Sequence, residues 1–164
     1  MTLTESIEDV DQNRWADAPL PSDRKGWVQR AREVAALFEQ TAVERDHDAR
    51  PPSRREIQWL KDAKLLGIAG PIEYGGGNVD WLTVLQVVAE FAKVEGSIAN
   101  ILGWHYAYFW LFRSFGTPAQ RVRWEEEVTA QRLLISGIAN FRDKPISAGC
   151  SRASTSPSSR GPSP

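Results

Sequence analysis

The run Leu65-Leu66-Gly67-Ile68-Ala69-Gly70-Pro71-Ile72-Glu73-Tyr74-Gly75-Gly76-Gly77-Asn78-Val79-Asp80-Trp81 decides how the rest of this 164-residue chain is read. Its first residues close an amphipathic helix, and Gly67 is placed to supply a left-handed cap. Gly70-Pro71 and Gly75-Gly76-Gly77 then predict two changes of direction, which residues carrying a β-carbon would resist. Asp80 is positioned to accept from the free N–H groups of a second helix that begins at Trp81. The stretch therefore reads as a helix stop, a folded corner and a helix start. It is not a phosphate loop, because no Gly-Lys-Ser/Thr follows and a helix rather than a strand precedes it.

Upstream of the corner, Ser53-Arg54-Arg55-Glu56 has capping-box spacing and opens a helix with Ile57, Leu60 and Ala63 on one face, ending at Gly67. Pro51-Pro52 bars any continuation from before it. A longer first helix, capped by Ser22 or Asp23 and running to about Asp46, places Trp27, Ala31, Val34, Phe38 and Ala42 on one stripe. Lys25, Arg32, Glu39 and Arg45 are read as lying largely off that stripe, and His47 as a surface residue. Residues 1–21 carry Glu5, Glu8, Asp9, Asp11 and Asp17 against a single Arg14 and end in Pro19-Leu20-Pro21. They read as a disordered acidic leader and have neither the basic start nor the apolar run of a secretory signal.

Downstream, Val84, Leu85, Val88, Ala92 and Glu95 mark a third helix, with Val87, Ala89 and Phe91 on its other faces, so it is expected to be central and widely buried. Gly96 ends it and Ser97 is the expected cap of the next. There Ile98, Ile101, Leu102, His105, Phe109 and Phe112 share one face. On that face alone, His105 reads as a satisfied core histidine. Tyr106, Tyr108 and Trp110 read as core packing or as the wall of an aromatic pocket. Thr117-Pro118-Ala119-Gln120 starts a short fifth helix marked by Val122 and Val128, with Glu125, Glu126 and Glu127 on a solvated face. Leu133–Ala139 is a short apolar run with the character of a strand. From Ser147 to Pro164 there are seven serines and three prolines, with no Leu, Ile, Val, Phe, Tyr, Trp or Met. That composition cannot build a core.

The fold class is thus all-α, an up-and-down bundle of about five helices followed by one strand and an unpatterned tail. A net charge of −1 argues against a nucleic-acid binder. Two histidines and one cysteine leave no Cys/His metal site and no disulfide framework, so no metal is expected, a cytoplasmic location fits, and Cys150 in the tail is assigned no chemistry. No apolar run approaches the ~20 residues of a membrane span.

The order and spacing of these motifs resemble the N-terminal helical domain of the acyl-CoA dehydrogenase family. The resemblance rests on Leu65-Leu66-Gly67-Ile68, Pro71-Ile72-Glu73-Tyr74-Gly75-Gly76 and Asp80-Trp81-Leu82-Thr83. It also rests on Glu90 with Ala92, on Gly96-Ser97, and on Phe115-Gly116-Thr117 with Gln120. Thr41-Ala42-Val43-Glu44-Arg45-Asp46, the Asp80-Trp81 pair and Gly103-Trp104-His105-Tyr106 are similar to the sulfur-compound monooxygenases of that superfamily, such as dibenzothiophene and dimethyl-sulfone monooxygenases.

The resemblance implies a flavin (FMN or FAD), a small-molecule substrate, and a homo-oligomer, usually a tetramer. It implies that His105 lies near flavin and substrate, where an imidazole suits a proton-sharing role. Tyr106 and Trp110 would then line the substrate pocket. Asn140 would open the flavin-contacting segment Asn140-Phe141-Arg142-Asp143. Other readings are an acyl-CoA dehydrogenase acting with FAD, and a non-catalytic helical interaction module. Family members are more than twice this length, with a middle β-domain and a C-terminal helical bundle that make most of the flavin site. Residues 133–146 look like the start of that β-domain, and the tail from 147 looks like an out-of-frame translation of a GC-rich gene. The chain alone is therefore expected to turn nothing over, to bind no flavin tightly, and to self-associate through its uncovered apolar face.

Overall fold

The structure is a computed structural model and describes residues 14–15 and 17–136. The rest of the leader, the second half of the expected strand, Asn140 and the tail lie outside the described residues. Five α-helices carry the fold: α1 Arg24–His47, α2 Arg54–Asp62, α3 Trp81–Ala92, α4 Gly96–Phe115 and α5 Pro118–Ala130. Among the described residues there is no strand, and no helix is long and apolar enough to cross a membrane.

Each helix start is a local chemical event. Asp23 accepts from Gly26 N–H at 2.8 Å, and Asp80 accepts from Thr83 N–H at 2.8 Å. Reciprocal capping boxes form at Ser53/Glu56 and at Thr117/Gln120, the latter with Pro118 in the first turn. Helix α4 differs from its reading. It begins at Gly96 with Glu95 as N-cap and no side-chain cap; the Ser97 hydroxyl instead bonds the Glu95 carboxylate.

Helix α3 packs mainly between α1 and α4, and α5 closes against α4 and the corner. The core is built from Trp27, Phe38, Leu60, Leu65, Ile68, Val87, Phe91, Leu102 and Phe109 among others. Phe38 meets Trp59 and Phe91 edge to face, with ring centroids 5.5 and 5.7 Å apart. Helix α3 is less buried than its composition predicts. Val84, Val87 and Phe91 face inward, whereas Leu82, Leu85, Ala89 and Ala92 are exposed, because no other described element packs on that side.

The corner turns by different means from those expected. Helix α2 ends at Asp62, and the left-handed residue that follows is Lys64 (φ 60), not Gly67. Stopping the helix early leaves Leu65–Gly67 as a 3-10 turn, and Lys64 Nζ donates to the Ala18 carbonyl at 3.0 Å. Gly75 does take the left-handed region (φ 80). Gly76 is needed for a different reason: a Cβ there would lie 2.2 Å from the Gly70 carbonyl oxygen. This close approach lets the chain double back, with Asn78 N–H on Gly70 O (2.8 Å) and Val79 N–H on Ile68 O (3.1 Å).

Two charged positions also depart from the reading. Arg45 is only 4% exposed and pairs with both Glu56 and Glu95, its guanidinium lying over the Phe38 ring. It sits seven residues after Phe38 and so continues the apolar stripe of α1, where a buried cation requires paired carboxylates. Burial alone would push the Glu56 carboxyl up. Hydrogen bonds from Thr41 and Ser53 and the charge of Arg45 together hold it below its ordinary range. In α5, Val122 is exposed and Trp124 takes the packing role against Phe112, with centroids 4.2 Å apart. Glu125 is not simply solvated; it pairs with Arg113 at 3.1 Å.

Candidate functional site

Helix α4 carries three of the residues singled out from sequence, His105, Tyr106 and Trp110, and it delivers the first two to backbone. His105 and Tyr106 are both buried, His105 at 0% exposure. The His105 Nε2–H donates to the Leu66 carbonyl at 2.8 Å, and the Tyr106 hydroxyl donates to the Leu65 carbonyl at 2.6 Å. About two turns further on, Arg113 reaches toward the Ala69 carbonyl at 3.5 Å. Three side chains of one helix thus reach carbonyls of the 3-10 turn and corner; the Leu65 carbonyl also accepts the 3-10 bond from Ile68 N–H at 3.4 Å, so Tyr106 adds a second donor there.

The other ring nitrogen of His105 is also engaged. Ile135 N–H donates to Nδ1 at 3.1 Å. Ile135 belongs to the run expected to form a strand, yet 133–136 are in no strand. With no neighbouring strand among the described residues, the Ile135 amide finds its acceptor on an imidazole.

These contacts fix the electrostatics. Burial pushes the His105 imidazole down to about 4, and the Leu66 carbonyl only partly offsets that. Burial pushes the Tyr106 phenol well above its ordinary range. At neutral pH the site therefore holds a neutral imidazole and a neutral phenol, with ring centroids 4.9 Å apart.

Of the four residues singled out from sequence, the three among the described residues do not converge. His105 and Tyr106 lie together on the inner side of α4. Trp110 lies on the outer side, 45% exposed and edge-on to Trp81 with centroids 6.0 Å apart. Asn140 is outside the described residues. Sequence reasoning missed Arg113 and Ile135. A signal existed for Arg113, which is the only Lys, Arg, Asp or Glu in the twenty residues of α4 and whose charge must therefore have a partner. Nothing local marked Ile135.

Residues 23–132, the whole of the helical unit, match the acyl-CoA dehydrogenase N-terminal domain. The chain belongs to the acyl-CoA dehydrogenase family. Within that family, it is 35% identical over 127 residues to the probable FMNH2-dependent monooxygenase SfnC of Pseudomonas putida, a match covering 77% of this chain and 32% of the relative. It is 32% identical over 123 residues to the dibenzothiophene monooxygenase of Mycolicibacterium goodii, covering 75% and 27% respectively. Among solved structures, methanesulfinate monooxygenase MsuC from Pseudomonas fluorescens superposes with a TM-score of 0.66 at 39% identity, covering 71% of this chain and 30% of that one. The chain spans about a third of the length of these relatives.

His105 and Tyr106 have spent their polar atoms on backbone. Surface hollows lined by Trp15, Pro21 and Arg30, by Arg45, Arg50 and Ser97, and by Arg24, Val28 and Gln86 do not include His105.

Proposed function

We propose that this chain is the N-terminal helical part of a reduced-flavin-dependent monooxygenase that oxidises small organosulfur compounds. The observation that carries the reading is its likeness, across the helical unit, to relatives named for FMNH2, dibenzothiophene and methanesulfinate. In this reading the flavin and substrate are held mainly by sequence equivalent to the other two thirds of those relatives. The α4 region around His105 faces them as a neutral wall, Trp110 on the exposed side of α4 contributes to the substrate side with Tyr106 behind it on the inner side, and Asn140 opens the flavin-contacting segment. The chain by itself turns over neither an organosulfur compound nor an acyl-CoA, and retains no flavin.

The test is a graft. Residues 23–135 replace the matching third of the methanesulfinate monooxygenase, and the soluble chimaera is assayed in two ways. Oxygen-dependent oxidation of methanesulfinate with reduced FMN supports the reading. A chimaera that folds, binds FMN and yet oxidises only an acyl-CoA with an electron acceptor overturns it in favour of a dehydrogenase.

A second reading is favoured by a separate observation. The outer side of α3 and α4 exposes Leu82, Leu85, Trp104 (54%), Leu111 and Phe115 (82%), and Trp81 and Trp110 join the two helices across their rings. A patch of this kind marks an association surface. In this reading the chain self-associates through it, and gel filtration of the full chain gives a dimer or larger species rather than a monomer.

A further inference from the structure

His105 stands where two pieces of non-helical backbone meet. One is Leu66, in the turn that enters the corner; the other is Ile135, in the segment that leaves α5. A carbonyl can only accept and an amide N–H can only donate. The Leu66 contact at 2.8 Å therefore places the ring proton on Nε2, and the Ile135 contact at 3.1 Å requires a bare Nδ1. A neutral imidazole is suited to this because it offers one donor and one acceptor on different edges of a rigid ring.

The outgoing segment is tied down at its other end too. Arg132 turns left-handed (φ 49), and its guanidinium reaches the Lys61 carbonyl at 3.3 Å. Leu133 N–H returns to Val128 O at 3.0 Å, and Leu134 and Ile135 pack partly buried against the core. Between the end of α5 and Ser136 the chain is thus led across the corner, and its last described hydrogen bond is the one to His105.

We infer that His105 is a positioning residue: as the neutral Nε2–H tautomer it pins the outgoing segment 133–136 to the Leu65–Gly70 corner and so sets the direction in which the chain leaves the helical domain. Nothing in this depends on the reaction proposed above. If that reading is right, the pin orients the segment leading toward the parts that hold substrate and cofactor. Proton transfer by His105 is not part of the role, since both ring nitrogens are committed to backbone.

Nitrogen NMR of the histidine rings in the full chain at neutral pH is expected to show His105 as Nε2–H, with Nδ1 unprotonated. The opposite tautomer, or an imidazolium, overturns the inference. Amide exchange at Ile135 gives a second readout. His105→Leu, with helical content unchanged, is expected to speed it roughly tenfold. His105→Gln, whose amide can donate to Leu66 and accept from Ile135, is expected to restore protection. Unchanged exchange in His105→Leu, or a folded His105→Gln that does not protect Ile135, overturns the pin. Should His105→Leu not fold, Ile135→Pro removes the donor and leaves the ring intact; the Nδ1 resonance is then expected to shift, and a resonance that stays put overturns the pin. The graft assay reads the reaction class separately, so either proposal can fail alone.

Discussion

Helix α4 has two apolar sides with opposite fates. The inner side places Ile98, Leu102, His105 and Phe109 in the core, and His105, Tyr106 and Arg113 supply hydrogen bonds to the corner's carbonyls. The outer side carries Gly103, Trp104, Ala107, Trp110 and Leu111 without one charged residue, and much of it is exposed. A helix that is apolar all round is normally covered all round. The inner side explains how this domain folds; the outer side indicates that it is built to meet something else. The single charge of α4, on Arg113, is turned to the corner and to Glu125 rather than outward.

The largest effect expected from breaking this contrast is on the inner side. Phe109→Ala removes a buried ring from between the helices and is expected to cost about 3–5 kcal/mol, read as a lower midpoint in urea denaturation. A loss under about 1 kcal/mol would mean that the inner side is no better packed than the outer.

Next in size is the pH dependence of the inner side. With the His105 imidazole held near 4 in the folded chain and near 6.5 when unfolded, the unfolded state takes up the proton first as pH falls. Stability from this group is complete above about pH 6.5 and is lost progressively down to about pH 4, a change of roughly 3 kcal/mol. Subtracting the curve of His105→Gln isolates it, since the carboxylates titrate in both proteins. Overlapping curves would show that His105 is not buried neutral.

The smallest expected effect on stability is on the outer side. Leu111→Ser with Phe115→Ser should leave the denaturation midpoint within about 0.5 kcal/mol of the parent, as for ordinary surface changes. The same pair should shift gel filtration toward the monomer. If it lowered stability by several kcal/mol without changing the elution, the two sides of α4 would not differ as described.

Local chemistry was legible in the sequence and tertiary chemistry was not. The caps at Asp23, Ser53, Asp80 and Thr117 were readable because each depends on residues at most three apart. The corner was readable as a corner, but its left-handed residue fell at Lys64 because the length of α2 is set by packing, not by the nearest glycine. Arg45 was misplaced because its burial depends on Glu56 and Glu95, eleven and fifty residues away. Its spacing from Phe38 was a signal that its charge outweighed. His105 was located on the correct face, while the partner of its Nδ1 lies thirty residues on, in a run whose strand-like composition pointed to pairing with a sheet.

Helix α4 recognises the corner through carbonyl oxygens, and every residue type presents the same carbonyl. Side chains at Leu65, Leu66 and Ala69 can therefore be exchanged without removing an acceptor from Tyr106, His105 or Arg113, provided the volume still fits. The joint is specific in geometry and tolerant in spelling. A library randomised over small and medium apolar residues at those three positions should yield many folded members. The same library at positions 105, 106 and 113 should yield few.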